Sequence, residues 1–126
     1  NIEIDLKTKA KRLAQNLNFY GVLAIEFFEL LDGSIVFNEI APRPHNSFHW
    51  TLNGCNSSQF DILVRTICGL PVKDVDCNGK WEMTNLIGQD VNNINLYKDQ
   101  NYILHIYGKK NVKAGRKMGH YNRNMS

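Results

Sequence analysis

The sequence predicts an α+β fold in two parts: an antiparallel sheet with flanking helices over residues 1–71, and a small β-rich module over residues 72–126. Three observations carry this reading. Apolar residues recur at three- and four-residue spacing at the start, two β-branched and aromatic runs flank Asp32-Gly33, and short strand-like runs between polar turns begin after Pro71. At 126 residues the chain can bury one modest core.

The elements follow in order. Ile2, Leu6, Ala10, Leu13, Ala14 and Leu17, with lysines and Arg12 between them, define an amphipathic helix packing one stripe on the sheet and ended by Asn16, Asn18 and Gly21. From Gly21 to Ala41 the pattern is strand, turn, strand, with Asp32 and Gly33 as the two residues of a tight hairpin. In that register Leu31 meets Ser34, Phe28 meets Phe37, Glu26 meets Glu39 and Ala24 meets Ala41. Ser57 or Ser58 caps a second helix running through Cys68, with Phe60, Leu63, Val64 and Ile67 on one face and Gly69-Leu70-Pro71 as the stop. Lys80 to Gly88, Tyr102 to Tyr107 and Lys117 to Tyr121 read as strands, and Gln89 to Gln100 as a loop or short helix.

The hairpin carries the main chemical signal. Opposed like charges destabilise a sheet, and the apolar neighbours on the same face predict that water is scarce around Glu26 and Glu39. Two such carboxylates either share a proton or bind a cation. A register shifted by one residue would instead place one glutamate in solvent or against a lysine. Beyond the second strand, Asn38-Glu39-Ile40-Ala41-Pro42-Arg43-Pro44-His45-Asn46 sets polar groups on a loop stiffened by two prolines. The Arg43 fork suits a planar oxyanion, and His45 and Asn46 supply donors or acceptors near neutral pH.

Charge is uneven. The formal net charge is +3, but from Gln100 onward there are six basic residues, Lys109, Lys110, Lys113, Arg116, Lys117 and Arg123, and no acidic one. Lys109 and Arg116 flank a turn ending in Gly115, a layout that lets two side chains converge on one phosphate monoester. A nucleic-acid module is the alternative, with Tyr102, Tyr107 and Tyr121 as a stacking platform. It leaves the glutamate pair and the proline loop without a purpose, so no nucleic-acid partner is expected.

No apolar run approaches the ~20 residues of a membrane span, so no membrane partner is expected. Cys55, Cys68 and Cys77 are odd in number and lack CxxC spacing, which argues against a disulfide framework and a zinc site and for a reducing, cytoplasmic setting. Cys68 reads as a small buried apolar residue.

Asn38 to Ser47 (NEIAPRPHNS), followed by His49-Trp50-Thr51, Ser58-Gln59-Phe60 and Cys68-Gly69-Leu70-Pro71, resembles the N5-carboxyaminoimidazole ribonucleotide synthetases, ATP-grasp ligases of purine biosynthesis. Leu104 to Lys109 and Gly115 to His120 (GRKMGH) resemble the end motifs of the same family, so the resemblance covers nearly the whole chain. It implies that residues 1–71 are the C-terminal portion of an ATP-grasp lobe, that the front of the enzyme is absent, and that the full-length protein is a homodimer. The chain has no glycine-rich phosphate loop of its own, and alone it is expected not to turn over ATP.

For the site, the resemblance implies that Glu26 and Glu39 hold Mg²⁺ and ATP phosphates, supported by Asn38. Arg43, His45 and Asn46 are expected to hold the carboxyphosphate formed from bicarbonate, and Lys109 and Arg116 the phosphate of aminoimidazole ribonucleotide. Trp50 either stacks on the imidazole or fills core. The nearest enzymatic rival, formate-dependent glycinamide ribonucleotide transformylase, fits less well, because Asn46-Ser47 stands where Asp-Thr is expected.

Overall fold

The computed structural model describes residues 2–97 and 101–126. The chain forms two compact units, residues 1–46 with 59–73 and residues 47–58 with 74–126. Segment 47–58 therefore belongs with the later strands.

In the first unit, helix α1 spans Ile2–Asn16. Its Glu3–Lys7 and Asp5–Lys9 pairs sit one turn apart on the exposed face. Leu6, Ala10, Leu13 and Ala14 are half-buried, and Ile2 and Leu17 remain exposed, so the inward stripe is narrower than the spacing predicted. The helix ends in a Schellman motif, with Phe19 N–H donating to the Ala14 carbonyl, Asn18 N–H to that of Gln15, and Asn18 at φ 47°.

Strands β1 (Ala24–Glu29) and β2 (Ile35–Ala41) form a two-stranded antiparallel sheet. Ala24 pairs with Ala41 and Glu26 with Glu39, as predicted, but Phe37 pairs with Phe27 rather than Phe28, and Phe28 meets Val36. The turn explains the change. Gly33 N–H donates to the Leu30 carbonyl and Leu30 N–H to that of Ser34, so Leu31, Asp32 and Gly33 make a three-residue loop instead of a two-residue one. Gly33 closes it at φ 79°, which disfavours any residue with a Cβ. Leu31 is thus a loop residue and does not pair with Ser34. The resulting slip is reversed by a bulge at Asn38, between the pairs Phe27–Phe37 and Glu26–Glu39.

Helix α2 (Thr51–Gly54) belongs to the second unit, and helix α3 (Gln59–Ile67) to the first. Ser58 precedes α3, and a second Schellman motif ends it, with Leu70 N–H on the Arg65 carbonyl and Gly69 N–H on that of Thr66. Its inward face differs from the predicted one. Gln59 is buried and Ile62, Leu63 and Thr66 are half-buried, whereas Phe60, Val64 and Ile67 are exposed.

In the second unit, β3 (Trp81–Ile87), β4 (Tyr102–Ile106) and β5 (Lys117–Asn124) form an antiparallel sheet in the order β3-β5-β4. The expected loop or short helix is a 3₁₀ segment over Gly88–Tyr97, kinked at Asn93, and the part of that expectation on Lys98 to Gln100 lies outside the described residues. The core gathers on the central strand, where Met118, His120 and Asn122 are buried together with Leu86 of β3.

The cysteines depart from the sequence reading. Cys55 and Cys77 form a disulfide beside their own β-bridge, and Cys68 is free and exposed rather than buried. The odd count hid one pair and one single thiol, so cysteine usage no longer argues for a reducing compartment. No helix among the described residues is long and apolar enough to cross a membrane.

Candidate functional site

The hairpin builds the site from the backbone outward. Glu26 and Glu39 are direct partners on neighbouring strands, so both carboxylates project from one face of the sheet. Asn38 is the extra residue of the bulge, and a bulge re-aims the side chain it carries. Its amide donates to Glu26 Oε2 at 3.3 Å. The pair is not buried as predicted: the side chains of Glu26 and Glu39 are 33% and 47% exposed, and Phe28 and Phe37 are exposed as well. The two carboxylates therefore lie in contact with solvent and with neighbouring side chains rather than in a dry pocket.

The neighbours come from the proline loop. Arg43 N–H donates to the Ala41 carbonyl, a three-residue turn centred on Pro42 that folds the chain back at the end of β2. The Arg43 guanidinium lies 3.6 Å from Glu39 Oε1 and donates to the Pro44 carbonyl. His45 then reaches the carboxylates. Its ring sits between them, Nδ1 3.2 Å from Glu26 Oε1 and Nε2 3.5 Å from Glu39 Oε1, with only 13% of the side chain exposed. One ligand atom each from Glu26, Glu39 and His45 falls within 4.8 Å of the others, a spacing that suits one cation. Sequence reasoning gave His45 an anion-holding role and missed its seat between the two glutamates. The signal was the six-residue return from Glu39 to His45 through a Pro-Arg-Pro turn.

Asn46 opens a 3₁₀ turn over Asn46–Phe48, next in the chain after His45. The structure thus brings together Glu26, Asn38, Glu39, Arg43 and His45 in the first unit, and Trp50, Lys109 and Arg116 belong to the second. Trp50 packs at Gly54, where an added Cβ would lie 2.8 Å from Trp50 Cε3 and 2.7 Å from Trp81 Cδ1, so only glycine fits under the two indoles. Lys109 Nζ donates to the Lys117 carbonyl at 2.6 Å and lies 5.3 Å from the centre of the Tyr107 ring. Arg116 Nη1 donates to the Asn111 carbonyl at 3.1 Å. An ammonium has three donors and a guanidinium five, so one backbone contact each pins these side chains without exhausting them.

A second polar cluster lies in the core of the second unit. His120 stacks on His105 with ring centres 4.6 Å apart, approaches His49 at 5.1 Å, and bonds Tyr107 Oη through Nδ1 at 2.8 Å. His105 Nε2 meets Asn53 Oδ1, which also accepts from Asn122 Nδ2. Burial, then the nearby His105 and His49, hold the His120 pKa down to about 4, so the ring is neutral at physiological pH. Tyr102 and Tyr121 pack edge to face at 4.7 Å, and Arg123 lies over Tyr102. Nothing local in the sequence marks this cluster; its only trace is polar His120 and Asn122 two residues apart on a core strand.

Comparison with known proteins matches these two regions separately. Residues 1–60 match the ATP-grasp domain and residues 82–125 the phosphoribosylaminoimidazole carboxylase C-terminal domain. The N5-carboxyaminoimidazole ribonucleotide synthase of Brucella melitensis is 45% identical over 118 residues, which are 93% of this chain and 33% of that protein. The structure of N5-carboxyaminoimidazole synthetase from Staphylococcus aureus complexed with ADP superposes with a TM-score of 0.89 at 33% identity, covering 98% of this chain and 34% of that one. That of N5-carboxyaminoimidazole synthase from Aspergillus clavatus, in complex with ADP and 5-aminoimidazole ribonucleotide, superposes with a TM-score of 0.76 at 38% identity, covering 82% and 30%. The chain spans about a third of the length of the curated relatives it matches.

Proposed function

The chain belongs to the ATP-grasp family, and from that premise we propose that it supplies the metal-holding hairpin and the phosphate-binding end of an ATP-dependent ligase. The reaction is carboxylation of 5-aminoimidazole ribonucleotide by bicarbonate, giving N5-carboxyaminoimidazole ribonucleotide, ADP and phosphate. The observation that supports it best is the cluster of Glu26, Glu39 and His45 on a bulged hairpin.

The donor set fits Mg²⁺. Two carboxylates offer hard oxygen ligands, their exposure leaves room for phosphate oxygens and water, and Asn38 orients Glu26 from the bulge. Bound Mg²⁺ would neutralise charge on the phosphates of ATP. Glu26 and Glu39 would hold and place that ion. Arg43 presents a fork to an oxyanion, and its contact with Glu39 keeps it at the edge of the carboxylate pair. Bicarbonate is a weak electrophile, so it takes the γ-phosphoryl group to become carboxyphosphate, which Arg43, His45 and Asn46 hold away from water. The ribonucleotide amine attacks the carboxyl carbon and phosphate leaves. Lys109, pinned to the Lys117 carbonyl at the start of β5, and Arg116, pinned to the Asn111 carbonyl in the β4–β5 connection, fix the phosphate end of the ribonucleotide. Trp50, packed with Trp81 over Gly54, either stacks on the imidazole or fills core.

The test is ADP release by the full-length enzyme carrying these residues, with Mg-ATP and bicarbonate, with and without aminoimidazole ribonucleotide, beside Glu39→Ala. Turnover that needs the ribonucleotide and drops at least ~100-fold in the variant is expected, in line with the several kcal/mol a catalytic metal supplies. Stimulation by glycinamide ribonucleotide and formate instead would overturn the substrate assignment.

A further inference from the structure

Gln59 is the one buried polar residue of α3, 5% exposed, in a helix whose other inward positions are Ile62, Leu63 and Thr66. Its amide meets the backbone of His45 in both directions. His45 N–H donates to Gln59 Oε1 at 2.8 Å, and Gln59 Nε2 donates to the His45 carbonyl at 2.9 Å. This reproduces with one side chain the reciprocal pair that two antiparallel strands exchange. It falls where the chain has no strand to supply it, because β2 ends at Ala41 and Pro44 has no N–H.

We propose that Gln59 is a positioning residue for the ligase reaction, a clamp that holds the His45 backbone so that its ring stands between Glu26 and Glu39. The proposal rests on the functional reading above. Bonds on both sides of the His45 Cα fix its φ and ψ, and Pro44 fixes the approach from the N-terminal side, so only the side-chain torsions remain to be set. Gln59 is the first residue of α3, and the helix is closed at its far end by the bonds from Gly69 and Leu70, so the clamp is mounted on a rigid element rather than on a loop. A residue needed only for packing at this position would be apolar, since a buried amide costs free energy unless both ends are satisfied. Gln59 is satisfied by the one residue whose ring contacts both carboxylates.

Two variants separate the bonds from the volume. Gln59→Met keeps the length and removes both bonds; Gln59→Glu keeps the acceptor for His45 N–H and loses the donor to its carbonyl. In the chain labelled with ¹⁵N-histidine, the His45 ring signals, assigned by their loss in His45→Ala, are expected to shift or broaden in Gln59→Met. Those of His49, His105 and His120 are expected to stay in place and report an intact second unit, and a far-UV circular dichroism spectrum matching that of the wild type reports an intact first unit. In the full-length enzyme, kcat for bicarbonate-dependent ADP release is expected to fall roughly 10- to 100-fold in Gln59→Met and less in Gln59→Glu, with KM for Mg-ATP within about threefold. In a His45→Ala background Gln59→Met should cost nothing more, because the clamp then has no ring to position. Unmoved His45 signals, or an equal loss of kcat in the His45→Ala background, would overturn the proposal. If Gln59→Met does not fold, Gln59→Glu carries both readouts. A wild-type enzyme without bicarbonate-dependent turnover would sink the functional reading, and the ring signals would still decide the clamp.

Discussion

Lowering the pH from 6.5 to about 4 should destabilise the second unit through one buried histidine. His120 is 1% exposed, and its pKa is held at about 4 against an ordinary 6.5, first by desolvation and then by His105 from β4 and His49 from the segment before α2. Tyr107, the remaining titratable group against the ring, bonds Nδ1, and its own pKa is pushed up by burial. Between pH 6.5 and about 4 the unfolded chain takes up a proton that the folded chain refuses, so the stability contributed by the neutral ring is complete above 6.5 and is lost as pH falls. At 1.36 kcal/mol per unit, the loss at pH 4 is about 3 kcal/mol. Glu3 and Asp32, whose pKa values are lowered by Lys7 and by Ser34, stay ionised over most of this window and do not mimic the effect. Both tryptophans of the chain, Trp50 and Trp81, lie in the second unit, so urea unfolding followed by indole fluorescence reports on it. The midpoint should drop by on the order of 1–2 M from pH 7 to pH 4. His120→Phe keeps a ring beside His105 and cannot titrate; it should start less stable, with the Tyr107 hydroxyl unpaired, and lose most of the slope. The remainder belongs to His105, whose pKa burial also lowers. A wild-type midpoint that does not move, or a variant with the full slope, would refute this account.

Three further outcomes are expected. The Cys55–Cys77 bond closes a loop of 22 residues, so reduction, or Cys55→Ser, should lower stability by up to about 3 kcal/mol, and a thiol titration should count one cysteine before reduction and three after. Gly33→Val places a β-branched residue at φ 79° and should cost about 1–2 kcal/mol in thermal unfolding of the first unit, read by circular dichroism. Lys109→Ala and Arg116→Ala should each raise KM for the ribonucleotide roughly 10- to 100-fold with a smaller change in KM for ATP, measured by ADP release; equal effects on both substrates would remove these residues from phosphate binding.

Local signals told most of the fold and only part of the site. The two Schellman ends, at Asn18 and Gly69, were readable because each needs one residue that tolerates positive φ after a periodic run. The strands were readable from β-branched and aromatic runs. What stayed hidden depends on contacts between distant positions. The inward face of α3 is set by Gln59 reaching back to His45, which outranks the apolar stripe of Phe60, Val64 and Ile67. The pairing of Cys55 with Cys77 and the stacking of His49, His105 and His120 likewise join residues that no spacing rule connects.

The glutamate pair was predicted through two departures that cancel. A two-residue turn would keep one register along the whole hairpin; the three-residue turn at Leu31, Asp32 and Gly33 shifts it by one, and side chains alternate with a period of two. Left uncorrected, that shift would bring Asn38 opposite Glu26 and send Glu39 to the other face. The bulge at Asn38 inserts the missing residue just before Glu39, restoring the pairs from Glu26–Glu39 through Ala24–Ala41. Pairs on the turn side of the bulge, Phe27–Phe37 among them, keep the shifted register, and there the sequence reading failed. The bulge therefore has two consequences at one position: it puts both carboxylates on one face, and it gives Asn38 a side chain that reaches Glu26. A bulge is a local cost in ladder hydrogen bonds, and its place directly beside the two carboxylates is where a device that aims side chains is of use.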